Sequence, residues 1–148
     1  MAKIDYSKMT NSRFVLSFDF ELGWGCLERS LWVERQKKSV YDQLREVLPK
    51  FLEELRALEL NASWAVVGAM IDEPRSRDFS YLPDSVRNSV IQFCEHSESK
   101  TNDGRDLFDL LLSSSQKDIV SHSYSHTRFN YPGSVSYTHL TLPTILLV

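Results

Sequence analysis

Two histidines, His122 and His126, stand four residues apart at the end of a short apolar run. This spacing places the two imidazoles one helical turn apart, or together on one tight loop, so two ring nitrogens can bind the same metal ion. A catalytic divalent metal normally takes a third protein ligand and keeps a position for water. We therefore expect a carboxylate from elsewhere in the chain, and the best candidates are Asp19 and Glu21.

A predicted strand positions these two acids. Apolar and polar side chains alternate over residues 14–22, so one face of the strand carries Phe14, Leu16, Phe18 and Phe20, and the other carries Val15, Ser17, Asp19 and Glu21. The two acids share a face because they are two residues apart, and Gly23 and Gly25 end the strand. Taken without other motifs, the acids indicate a solvated strand end or the N-cap of a following helix.

A helical apolar period follows, from residue 40 to residue 58, and Pro49 lies in its middle. Because proline is tolerated in the first turn of a helix but not in its interior, we predict a helix that ends near Val47 and a second helix over residues 49–58. Residues 62–67 form a second buried strand that Gly68 ends. A strand, a helix and a strand in this order indicate a parallel βαβ unit of an α/β fold.

The chain then leaves this core over residues 71–101, which are mostly polar and contain one predicted helix over residues 84–96. His96 lies in a polar run and is predicted to be a surface residue rather than a ligand. A further helix is predicted over residues 106–112, and a third short strand over residues 118–121 leads directly to His122.

Composition and charge exclude several classes of function. The chain has 148 residues, of which 42% are hydrophobic and 25% charged, which is typical of about one globular domain. Its net charge of -3, without a block of like charges, disfavours binding to nucleic acid or to an anionic membrane. Cys26 and Cys94 have neither the number nor the spacing of a disulfide framework, so free thiols are expected.

The location of the protein is predicted from its apolar segments. No run approaches the roughly 20 apolar residues that a membrane span needs. The N-terminal segment is polar and lacks the apolar region of a secretory signal, so we expect a cytoplasmic protein.

With the first strand and the histidine pair both in view, the chain resembles the polysaccharide deacetylase family, the metal-dependent carbohydrate esterases of family four. That family carries a Thr/Ser-Phe-Asp-acid motif after its first strand and a His-Ser/Thr-x-x-His motif after its third. The corresponding segments here read Leu16-Ser-Phe-Asp-Phe-Glu-Leu-Gly-Trp-Gly25 and His122-Ser-Tyr-Ser-His126. Residues 48–55 and 62–68 resemble the family's first helix and second strand, and residues 116–121 resemble its approach to the histidines.

The resemblance implies a deformed (β/α) barrel and a divalent metal, expected to be zinc, bound by His122 and His126. The family's two acids are usually adjacent, whereas Phe20 separates them here. We assign Glu21 as the third ligand and Asp19 as the general base, because both can address one metal-bound water from the same face of the strand. The exchanged assignment stays open. By the same resemblance Ser123 supports the loop by hydrogen bonding, and Trp24 is a packing or rim residue.

The activity implied by the resemblance is hydrolysis of an N-acetyl group from an amino sugar in a glycan or a glycan precursor, so the expected partner is a carbohydrate. Relatives on the same scaffold hydrolyse other C–N amide bonds, which is one alternative. A metal-free glycan-binding or scaffolding remnant is another, and the intact set of two acids and two histidines argues against it.

The last residues carry a different signal. Residues 135–144 resemble the translation of a transposase adapter used to prepare sequencing libraries, so residues 135–148 are excluded from fold and site reasoning and His139 receives no role. We expect residues 1–134 to be the N-terminal part of the catalytic domain. A barrel of this kind takes roughly 250 residues, so about three strands would be present, and such a fragment is expected to be inactive and prone to aggregate.

Overall fold

The computed structural model describes residues 15–29, 31–114 and 117–126. Phe14, the predicted boundary near residue 134 and the predicted adapter-derived tail lie outside these residues. The described part is an α/β fold with three strands: β1 (Leu16–Phe20), β2 (Ala62–Val66) and β3 (Lys117–Ser121). They form one sheet in the order β1-β2-β3, and both pairs are parallel. The prediction of a parallel βαβ unit is confirmed.

The register of the sheet brings the two sequence motifs to one edge. Phe20 at the end of β1 pairs with Val66 at the end of β2, and Val66 pairs with Ser121 at the end of β3. Glu21 and His122 each follow directly after these paired residues. The carboxyl ends of parallel strands meet at the same edge of a sheet, which is where α/β proteins place their ligand sites.

Burial along β1 follows the predicted alternation. Phe20 is buried and Phe18 half-buried, whereas Ser17 and Asp19 on the other face are exposed. The ring of Phe18 lies 5.0 Å from the Trp64 ring of β2. It also lies 5.2 Å, edge on, from the ring of Phe51, which belongs to the helix that covers this face of the sheet. The aromatic face therefore packs into the core, and the opposite face carries Asp19 toward solvent.

The covering helix corrects one prediction. A single helix, α2, runs from Val40 to Ala57 through Pro49, where two helices were predicted. Pro49 removes the hydrogen bond that its N–H would have donated to the carbonyl of Arg45. It lies on the exposed side of the helix, while Leu48, Leu52 and Leu55 are buried, so an unbroken helix keeps one continuous apolar face on the sheet.

The remaining helices are α1 (Leu31–Lys37), α3 (Gly68–Ile71), α4 (Asp84–His96), α5 (Ser99–Asn102) and α6 (Arg105–Ser113), with 3-10 helices at Trp24–Arg29 and Pro74–Ser76. The predictions for residues 84–96 and 106–112 are confirmed, the second with one more residue at each end. Sequence patterning did not predict α1, α3, α5 or the 3-10 helices, all of which are short.

Several smaller predictions also fall on described residues. His96 is exposed, as predicted. Cys26 and Cys94 are both free thiols, the first buried and the second half-buried. Among the helices of the described ranges, none is long and apolar enough to cross a membrane.

Candidate metal centre

The acid side of the site is a sharp turn after β1. Leu22 adopts a left-handed backbone conformation with φ of 44°, and the Trp24 N–H donates to the Glu21 carbonyl at 2.9 Å. Two long-range hydrogen bonds fix the turn. The Gly23 N–H donates to the Thr101 carbonyl, and the Trp24 indole N–H donates to the Asn102 carbonyl, each at 2.9 Å. Trp24 is fully buried, so it is a packing residue.

Gly25 leaves the space in which the Glu21 carboxylate lies. A Cβ placed on Gly25 would come within 1.9 Å of Glu21 Oε1, 2.2 Å of its Cδ and 2.7 Å of its Oε2. Those distances are far inside van der Waals contact. The carboxylate therefore rests directly on the Gly25 backbone, and the turn determines where Glu21 points.

The other side of the site is the histidine loop, residues 122–126, which is not helical. The His122 N–H donates to the Val66 carbonyl at 2.8 Å and so continues the pairing of β3 with β2. The Gly68 N–H then donates to the Ser123 carbonyl at 3.0 Å. Both Ser123 and His126 have positive φ, 63° and 54°, and such strained backbone tends to cluster at functional sites.

The two sides meet at a small cluster of donor atoms. Glu21 Oε2 lies 2.9 Å from His126 Nε2 and 3.3 Å from His122 Nε2. The two imidazole rings are 4.8 Å apart between centroids, and one donor atom from each of the three residues falls within 4.8 Å of the others. Asp19 is more peripheral: its Oδ2 lies 3.9 Å from His122 Nε2, and its side chain is 61% exposed.

Electrostatics within the cluster favour an ionised Glu21. A hydrogen bond with His126 is the largest cause of a lowered pKa at Glu21, burial opposes it, and the charges of His126 and His122 lower the pKa further. His122 Nε2 is buried and lies 3.3 Å from Glu21 Oε2, and within the described part of the chain it makes no hydrogen bond of full geometry. A buried ring nitrogen without a partner carries a desolvation cost, which a bound cation would offset.

These residues fit a divalent metal. Two imidazoles and one carboxylate are a ligand set of catalytic zinc sites. Tetrahedral zinc with bonds of about 2.1 Å separates its donor atoms by about 3.4 Å. The Glu21–His122 separation of 3.3 Å is close to that value, and the Glu21–His126 separation of 2.9 Å is shorter. Small side-chain movements would thus admit an ion.

All four residues singled out in the sequence thus lie at one edge of the sheet, and three of them converge. Comparison of the chain with protein-family models, curated protein sequences and solved structures finds no match. The sequence identified Gly25 as a residue that ends the strand but did not predict its contact with Glu21. It also did not predict the partners of the histidine loop, Asp72 and Tyr81. For Gly25 the signal was its position four residues after Glu21, on the turn that ends the strand, whereas the other two carried no recognisable pattern.

Proposed function

We propose that the chain carries the metal centre of a hydrolase that removes an acetyl group from the nitrogen of an amino sugar in a glycan or glycan precursor. The observation that carries the proposal is the convergence of Glu21, His122 and His126, which come from segments about 100 residues apart, on one point beside Asp19. Two histidines and one carboxylate are the ligand set of a catalytic metal site, and here they meet at the ends of separate strands.

In this proposal Glu21, His122 and His126 hold a zinc ion, and Asp19 serves as the general base. The ion, when bound, supplies Lewis-acid polarisation of the substrate carbonyl and lowers the pKa of water. Asp19 fits its role because its carboxylate is exposed on the same side of the sheet and lies at the edge of the cluster. It would take one proton from the water whose oxygen attacks the acetyl carbon, after which the C–N bond breaks and the amine leaves protonated.

The proposal includes the finer fold: the three parallel strands are the first three of a deformed (β/α) barrel. The strand order supports this, since each strand in a barrel pairs with the next one along the chain. Asp19 and Ser17 on the exposed face of β1 would then face the barrel interior.

Two substitutions separate the roles of the acids. In the chain loaded with Co²⁺, which reports its coordination by visible absorption, Glu21→Gln is expected to weaken binding by more than about 100-fold, since it removes a ligand. Asp19→Asn is expected to weaken binding less than Glu21→Gln does, since its carboxylate lies outside the ligand set. The reverse order would exchange the two assignments.

A further measurement tests for a catalytic rather than a closed structural site. Three protein ligands leave a position open to an outside ligand, so acetohydroxamate is expected to change the Co²⁺ absorption spectrum. An unchanged spectrum at saturating acetohydroxamate would count against a hydrolase centre.

Substrate class is tested on a longer homologue that carries the same four residues. Acetate release from N-acetylated glucosamine oligomers supports the proposal, whereas ammonia or formate release from other amides supports a different C–N hydrolase.

A further inference from the structure

Two tyrosine hydroxyl groups tie the histidine loop to the segment that follows β2. Tyr124 Oη donates to Asp72 Oδ2 at 2.6 Å, and Tyr81 Oη donates to Ser125 Oγ at 3.2 Å. Tyr124 and Ser125 are both located between the two histidines, and Ser125 is only 1% exposed. Both ties therefore act on the span of chain that sets the relative position of the two imidazoles.

The ring of Tyr124 is held as well as its hydroxyl. It packs over Gly68, where an added Cβ would come within 2.8 Å of Tyr124 Cδ2 and 3.4 Å of its Cα. The Phe79 and Tyr81 rings lie on the Tyr124 ring, each with centroids 6.2 Å away. The Tyr124 carbonyl also accepts a 2.7 Å hydrogen bond from the Ala69 N–H. The hydroxyl consequently reaches Asp72 from a ring with little freedom to move.

The loop needs such support because its backbone is strained. Positive φ at Ser123 and His126, on either side of Tyr124, costs free energy for residues other than glycine and persists only where surrounding contacts enforce it. Without that enforcement the loop would populate conformations in which the imidazoles point elsewhere. Apparent metal affinity falls in proportion to the fraction of chains in the binding conformation.

We infer that Tyr124, anchored by Asp72, is a positioning residue that holds His122 and His126 on one metal ion. The inference rests on the proposed metal centre. Tyr124 itself would touch neither the ion nor a substrate. It acts through the backbone of the loop, so removal of its hydroxyl lowers metal affinity while the ligands themselves are intact.

The test measures Co²⁺ affinity, by competition with a chromophoric chelator, together with the Co²⁺ absorption spectrum and the thermal unfolding midpoint. Tyr124→Phe is expected to weaken Co²⁺ binding by up to about 10-fold, the shift in loop population that the loss of one hydrogen bond allows. Asp72→Ala is expected to match it, and Asp72→Asn, which keeps an acceptor oxygen, to restore most of the affinity. The double variant Tyr124→Phe with Asp72→Ala should lose no more Co²⁺ affinity than the single variant that binds Co²⁺ less tightly.

Tyr41→Phe is the matched control, since it also removes one tyrosine hydroxyl, in this case a buried one that has no hydrogen-bond partner in the described ranges. It is expected to bind Co²⁺ as the unmodified chain does. If Tyr124→Phe lowered the unfolding midpoint but kept the affinity and the spectrum, Tyr124 would be merely structural and the inference would be wrong. If the unmodified chain bound no Co²⁺, the metal centre itself would fail, and the positioning role with it.

Discussion

Gly25→Ala should displace a metal ligand while leaving the fold intact. The new Cβ would lie 1.9 Å from Glu21 Oε1, and ordinary contact begins near 3.4 Å, so the carboxylate must move by about 1.5 Å, against the roughly 0.2 Å tolerance of a metal–ligand bond. The displaced atoms are the end of a flexible side chain, and Gly25 does not have a positive φ. The cost to the unfolding free energy should therefore be small, within about 0.5–1 kcal/mol.

Loss of the Glu21 ligand should weaken zinc binding by at least about 100-fold, or about 2.8 kcal/mol. The assay is a chelator competition titration of Zn²⁺ at fixed pH, with urea unfolding of the metal-free chain measured in parallel. Gly104→Ala is the matched control, because its Cβ would meet the buried Met70 side chain at 2.9 Å. That variant should lose stability but, while folded, keep its zinc affinity. Unchanged affinity in Gly25→Ala would refute the placement of Glu21.

The remaining predictions concern stability. Pro49→Ala should raise the unfolding free energy by about 2 kcal/mol, because it restores an interior hydrogen bond of a continuous α2. The gain is partly offset because an unfolded chain without this proline has more conformational entropy. An unchanged unfolding free energy in a urea titration would indicate a helix that restarts at Pro49. Tyr41→Phe should keep or raise the unfolding free energy, by up to about 1–3 kcal/mol, since it deletes a buried hydroxyl without a partner among the described residues; a clear loss would reveal a missed hydrogen bond. Burial raises the pKa of Tyr41 to about 12 from 10, so the neutral phenol stabilises the fold fully below pH 10 and this contribution is lost as pH rises through about 12. The unfolding free energy should fall over that interval by about 2–3 kcal/mol more in the unmodified chain than in Tyr41→Phe, and equal slopes would contradict the burial of the hydroxyl.

Local patterns were sufficient to predict the parts of the fold whose burial follows a regular period. The alternation around Phe18 and Phe20 predicted β1, its exposed face and the projection of Asp19, because strand side chains alternate whatever covers them. Spacing of apolar residues likewise predicted α4 and α6. Both signals are properties of single elements, so they can be read without knowledge of the contacts between elements.

Predictions failed where contacts between distant segments decide the outcome. The continuous α2 through Pro49 buries Leu48, Leu52 and Leu55 in the core that they share with the sheet residues, which outweighs the local preference of proline. The hydrogen bond from Tyr124 to Asp72 joins residues 52 positions apart. Neither residue carries a pattern of its own, since one tyrosine and one aspartate in loops fit many roles.

Some features of the candidate site were likewise predictable from local sequence, and others depend on contacts between distant segments. The spacing of His122 and His126 and of the two acids predicted which residue types could gather at a metal, and the order of strands predicted that they would share an edge of the sheet. Sequence could not predict that the Glu21 carboxylate lies on Gly25, because that contact follows from the left-handed turn at Leu22. Sequence analysis assigned Glu21 as the ligand and Asp19 as the base but left the exchange open, because the distances of the two acids from the histidines are set only by folding.

Glu21, His122 and His126 are proposed to bind one divalent metal. The most direct test of this proposal is the metal content of the purified 148-residue chain after incubation with zinc and removal of the excess, measured by mass spectrometry of the metal and compared with His122→Ala. The proposed metal centre requires a single zinc ion per chain in the unmodified protein and a large loss of zinc in His122→Ala. Failure to bind zinc, cobalt or nickel stoichiometrically, or equal binding by His122→Ala, would contradict it.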